Sequence, residues 1–112
     1  MTGAPRSPTL GEFELLVLLS VLGLGGKAYP VSISDAIELT GRPTSRAAVQ
    51  ITLDRLEDKG FLTSHYGDPT PVRGGRAKRF FHPKAAAIEA VRQSLGRIER
   101  LTTGLEAVLK PK

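Results

Sequence analysis

The chain has no cysteine and no tryptophan. Without cysteine there is no disulfide framework, no thiolate zinc site and no thiol nucleophile. The absence fits a reducing cytoplasm, the expected location. There are only two histidines, His65 and His82. They can meet across a hairpin, but two ligands without a nearby carboxylate make a poor metal site. The serines lack a recognisable base partner, and the acid pair Glu57-Asp58 lies in a charged helix end. No catalytic residue, metal or cofactor is therefore expected, and an enzyme is disfavoured. Aromatic residues make up 5% of the chain, so the core is small and burial in an oligomer would help to complete it. Long apolar runs are missing too. Leu15–Leu24 spans about ten residues, half of the ~20 that a membrane span needs. No basic flank of a signal peptide precedes it, and no membrane partner is expected.

What the chain does have is positive charge in one place. The net charge is +5 and the pI about 10, a balance that favours a polyanion. Val72–Lys84 holds five Lys or Arg and no acid. Gly74-Gly75 allows a tight turn there, with Arg73 and Arg76 at the tip. No Lys-Ser/Thr opens a helix after this turn, so it is not a nucleotide-type phosphate loop.

At 112 residues there is room for one domain with an appended element. Residues 1–10 read as a loose N-terminal tail, 11–83 as the domain and 84–112 as a C-terminal helix. Helix one covers Gly11–Leu24 and is apolar on nearly every side, as a central helix is. Helix two follows Pro30, with Val31, Ile33, Ala36, Ile37 and Thr40 inward, and stops at Gly41 before Pro43. Helix three runs through Ser45–Gly60 with Thr44 or Ser45 as N-cap. Its core stripe is Val49, Leu53 and Leu56. Phe61–Tyr66 and Lys78–His82 read as paired strands, and Gly67–Pro71 breaks the ladder between them. One long helix, roughly Lys84–Leu109, ends the chain. The fold class is mainly α with a small β-hairpin: a winged helix-turn-helix plus a long C-terminal dimerisation helix.

Helix three carries the sharpest functional pattern. At 100° per residue, Arg46, Ala47, Gln50 and Asp54 fall away from the core stripe. Gln50 suits adenine and Arg46 suits guanine in a major groove, and small residues let the backbone approach. Thr44, Ser45 and the helix N-terminus suit a phosphate oxygen. Taken alone, this is the pattern of an ordinary surface helix; the basic wing that follows favours DNA. The expected DNA-binding set is Thr44, Ser45, Arg46, Ala47, Gln50, Arg73, Gly74, Arg76, Lys78 and Arg79. Alternation places Lys78 and Phe80 on one side of the return strand, and Arg79 and Phe81 on the other. In the last helix, Ile88, Val91, Leu95, Ile98, Thr102, Leu105 and Leu109 recur at steps of three and four, an a/d seam for a second copy of the chain. Leu101 and Val108 widen that seam.

The chain resembles the PadR family of bacterial transcriptional regulators, the small members with a single C-terminal helix in particular. The segments that carry the resemblance are Gly11–Leu15, Thr52–Gly60, and Gly67–Thr70 with Arg73–Arg79 in the wing. The combination of Leu53-Asp54-Arg55-Leu56-Glu57-Asp58-Lys59-Gly60 with Gly74-Gly75-Arg76-Ala77-Lys78-Arg79 is the specific part. The resemblance implies a winged helix, a homodimer held by the last helix, and repression from a palindromic operator in double-stranded DNA. This chain has Gln50 where members commonly carry a tyrosine that faces DNA, and Pro30 after Tyr29 where glycine is usual. His65 and Thr102 stand where tryptophans are frequent. The residues name no small-molecule effector. The rival expectation is a winged-helix protein-interaction module that does not bind DNA.

Overall fold

The computed structural model describes residues 9–68 and 77–111. Five α-helices and one hairpin follow in the order α1 (Glu12–Leu24), α2 (Pro30–Glu38), α3 (Arg46–Asp58), β1 (Leu62–Tyr66), β2 (Arg79–Pro83), α4 (Ala85–Thr102) and α5 (Glu106–Leu109). A short 3-10 turn, Gly25–Lys27, links α1 to α2.

Helix α1 is central because it has no polar side to leave in water. Leu15, Val17, Leu18 and Val21 are buried, and Phe13, Leu16, Leu19, Leu22 and Leu24 pack at the edge of the core. It contacts α2, α3, β2 and α4. Leu10 also packs on this core, so ordered packing starts inside the stretch expected to be a tail; residues 1–8 lie outside the described residues. At the start of α1, the Gly11 amide donates to Glu14 Oε1 at 3.0 Å. Glu14 Oε2 also pairs with Lys59 Nζ at 2.8 Å and so ties the start of α1 to the end of α3.

Pro30 opens α2 at a position where its missing N–H costs nothing. The Ser32 hydroxyl accepts from the Tyr29 amide at 3.0 Å and donates to the Lys27 carbonyl at 2.7 Å. Ile33 and Ile37 are buried. Thr40, expected on the inner side, instead lies beyond the helix end and is exposed. Gly41 takes φ +96° there, a left-handed turn that stops the helix. Ser45 caps α3, its hydroxyl accepting from the Ala48 amide at 3.1 Å. Val49, Leu53 and Leu56 are fully buried, as their spacing predicts, and Gly60 exits at φ +86°.

The strands pair antiparallel, with Ser64 opposite Phe81 and His65 opposite Phe80. Opposed residues share a face, so the register decides which aromatic is core. Phe81 is fully buried. Phe80 lies on the other face, stacked on His65 and edge-on to Tyr29. The hairpin is fastened at its base, where the Phe81 amide donates to the Ala28 carbonyl at 2.8 Å and the Lys84 amide to the Phe61 carbonyl at 2.9 Å. Gly67 stands where a side chain would strike Phe80: a Cβ there would be 2.9 Å from the ring.

The last helix departs from expectation. It does not run unbroken to Leu109 but ends at Thr102 after 18 residues. The Thr102 and Thr103 hydroxyls both bond back to the Glu99 carbonyl, at 3.1 and 2.9 Å, where they compete with the backbone ladder. Gly104 then turns at φ +89°. The seam is also divided. Val91, with Ala87, Ala90 and Ser94, is buried in the domain itself. Ile88, Leu95, Ile98, Leu105 and Leu109 are exposed, as are Leu101 and Val108. No described helix is long and apolar enough to cross a membrane.

Candidate nucleic-acid interface

Two elements present the sequence-predicted residues to solvent: the N-terminal half of α3 and the start of the return strand, at the loop-side end of the hairpin. Helix α3 rests on α1, α2 and β1. On its outer side the contacts among the described residues are those of Arg79 from β2, which reaches Asp54 and Glu57 in the C-terminal half of the helix. Arg46 and Ala47 are exposed there and Gln50 is half-buried. The Ser45 hydroxyl and carbonyl take the Ala48 and Val49 amides. The amides of Arg46 and Ala47 remain as the donors that every helix start leaves over. Arg46 has no carboxylate partner among the described residues.

Thr44 differs from expectation. Its Oγ1 is buried and has no hydrogen-bond partner among the described residues. Gln50 is oriented before any ligand arrives, because its Nε2 donates to Asp54 Oδ1 at 3.1 Å. An amide nitrogen has two hydrogens, so one donor and the Oε1 acceptor stay available for a base edge.

Arg79 is the clearest correction. The sequence groups it with the wing cations, yet it is engaged inside the domain. Its Nη1 meets Asp54 Oδ1 at 3.2 Å, its Nη2 meets Glu57 Oε1, and its Nε donates to Ser64 Oγ at 3.1 Å. Ser64 in turn donates to Glu57 Oε2 at 2.9 Å. The guanidinium also lies over the Phe81 ring, 4.8 Å from its centroid. Alternation had put Arg79 and Phe81 on one side, and the acids of α3 wait on that side. With three of its five N–H donors committed, Arg79 belongs to the joint between β2 and α3. Lys78, one residue earlier, faces the other way. It is exposed, with Nζ 4.5 Å from the Tyr29 ring centroid. Arg73, Gly74 and Arg76 lie outside the described residues.

His65 and His82 do meet across the hairpin. Their rings stack at 4.8 Å, with His82 Nε2 2.8 Å from His65 Nδ1. No group of three His, Cys, Asp or Glu able to hold a metal exists among the described residues. Ile51 also belongs to the outer face of α3. It lies about 200° around the helix from Val49, directly opposite the core, and is 58% exposed. The same 100° arithmetic that selected Gln50 places it there.

No protein-family model and no curated protein matches the sequence. Solved structures do match in fold. A PadR family transcriptional regulator from Eggerthella lenta superposes with a TM-score of 0.66 at 19% identity, over 90% of this chain and 88% of that one. A PadR-like transcriptional regulator from Bacillus cereus gives 0.66 at 13% identity, over 89% and 93%. Bordetella bronchiseptica BpsR, described with a mechanism by which 6-hydroxynicotinic acid regulates its DNA binding, gives 0.67 at 19% identity, over 96% and 73%. With its capped third helix, two-stranded hairpin and long α4, this chain has the fold of the PadR-type transcriptional regulators.

Proposed function

We propose that this protein is a sequence-specific DNA-binding transcriptional regulator, a cytoplasmic homodimer that represses by occupying a palindromic operator. One observation carries the proposal. The capped N-terminal end of α3 stands clear of the domain with Arg46, Ala47 and Gln50 outward, and Lys78 marks the start of a basic hairpin on the same chain. An α-helix fits the major groove and its first turns reach the base edges, while flanking cations meet phosphates. The likeness in fold to proteins described as transcriptional regulators supports the same assignment. The DNA-reading set is Ser45, Arg46, Ala47 and Gln50 from α3, with Arg73, Gly74, Arg76 and Lys78 from the wing. Residues 11–83 act as the DNA-binding unit and 84–112 as the dimerisation segment. A dimer on two-fold DNA would place its two α3 helices about 34–36 Å apart.

A salt titration tests it. The log of the duplex association constant should fall linearly with log salt, by about 0.9 for every phosphate contacted. The Arg73→Glu, Arg76→Glu double variant should bind all duplexes more weakly and with a shallower slope. Duplex affinity indifferent both to salt and to these reversals would favour the protein-interaction module instead.

A further inference from the structure

Ile51 is a β-branched apolar residue on the one face of α3 that the domain leaves uncovered. A single exposed isoleucine is ordinary on a protein surface, and here its position decides. Ala47 precedes it by one turn, about 6 Å along the axis, and the pair makes a small apolar strip. Gln50 lies beside that strip with its amide already fixed by Asp54. Asp54 would repel a polyanion if it were free, but Arg79 and Gln50 both hold it. Asp58 is a second exposed acid, about two turns further along the same face; toward the N-terminal end of the helix the surroundings suit a polyanion. Arg46 is exposed on the first turn of the helix, and Lys78 is exposed at the loop-side end of the hairpin. The exposed apolar row of α4 belongs to a different part of the fold, since α4 packs on α1 and β2 while α3 packs on α1, α2 and β1. Ile51 is therefore not an extension of the surface proposed for a second copy.

We propose that Ile51, with Ala47, is a specificity-determining contact for thymine C5-methyl groups in the major groove, and that Gln50 reads an adenine beside them. The proposal rests on the DNA-binding function proposed above. The thymine methyl is the apolar feature of a groove otherwise lined by donors and acceptors. An apolar strip flanked by an oriented amide and bordered by cations matches an A·T step next to phosphates. Each half-site of the operator then contains at least one such step under the centre of α3.

The test uses the full-length protein and a duplex that it selects from a random pool. The duplex is resynthesised with each thymine in turn replaced by deoxyuridine, which removes only the methyl. One thymine per half-site should be sensitive, with affinity falling about fourfold for each methyl removed, the factor from burying one such group. The Ile51→Ala variant should bind the parent duplex more weakly and no longer distinguish thymine from uracil at that position, with its salt slope unchanged. Ile51 is exposed, so melting of the variant should match that of the parent. If the protein selects and binds a duplex but no thymine is methyl-sensitive, or if Ile51→Ala keeps the sensitivity, this inference fails and the DNA-binding function stands. If no duplex is selected at all, the DNA-binding function fails and takes this inference with it.

Discussion

Glu14 shows how one side chain can hold two ends of a fold. Burial alone would raise its carboxyl, since its side chain is only 12% exposed. The hydrogen bonds from Lys59 and the Gly11 amide, with the charges of Lys59 and Arg55, outweigh that and hold it below its ordinary value. A carboxyl lowered in the folded state contributes stability above its unfolded value, about pH 4.3, and loses it as pH falls through the folded value. Lys59 is 39% exposed, so solvent screening keeps the contribution small. Glu14→Gln should cost about 0.5–1 kcal/mol near neutral pH. Urea unfolding of both proteins should show the gap closing as pH falls through the folded value, below which the carboxylate is protonated in either state. A gap that persists there would mean that the charge is not its source.

At the scale of elements, α3 was the most legible piece. Ser45, Gly60 and the stripe Val49, Leu53 and Leu56 bound it and orient it without outside help, because caps and periodicity are local signals. The hairpin was legible to within one residue at each strand. Which of Phe80 and Phe81 enters the core was not, since that depends on the register with β1. The break at Thr103–Gly104 is legible only in part: Thr102 interrupts the apolar row and Gly104 weakens a helix, but the apolar period continues beyond them, and the threonine back-bonds that end α4 do not show in a hydrophobic pattern. Arg79 was misplaced for a similar reason. Its run of neighbours is basic, while the acids that claim it, Asp54 and Glu57, are distant in sequence. This joint between β2 and α3 has its own expected outcome. Arg79→Ala removes the cation that Asp54, Glu57 and Ser64 share, leaving only the Gln50–Asp54 and Ser64–Glu57 hydrogen bonds, and should destabilise the domain by about 1–3 kcal/mol. Arg79→Lys should recover only part, since one ammonium cannot reproduce the forked geometry. Denaturant titrations would measure the loss, and the salt slope of DNA binding should stay unchanged. A shallower slope with unaltered stability would return Arg79 to the phosphate-binding set.

The whole molecule is drawn out rather than compact. Its radius of gyration is 16.5 Å, against about 13 Å for a compact domain of this length. Helix α4 accounts for the shape. Its first half buries Ala87, Ala90, Val91 and Ser94 in the domain, and its second half continues the apolar face past the edge of that domain. Ile98 and Leu101 line a groove with Leu10 and Leu15, and α5 beyond carries Val108 and Leu109 exposed. So much apolar surface on one arm is more than the scattered exposure usual for a monomer. In the homodimer proposed above, a second copy that brings the same arm would cover it symmetrically. Glutamate at Leu95 and Ile98 places charge on the uncovered part of the face, where the domain's own core is not disturbed. Light scattering should give a dimer for the unmodified protein at micromolar concentration and a monomer for Leu95→Glu, Ile98→Glu, with similar helical circular dichroism. Operator affinity of that variant should fall by about two to four orders of magnitude, because two half-sites are no longer engaged by one linked pair of helices. Its affinity for an isolated half-site should be nearly unchanged. A stable monomer of the unmodified protein, or a charged variant that still dimerises, would remove α4 from the interface.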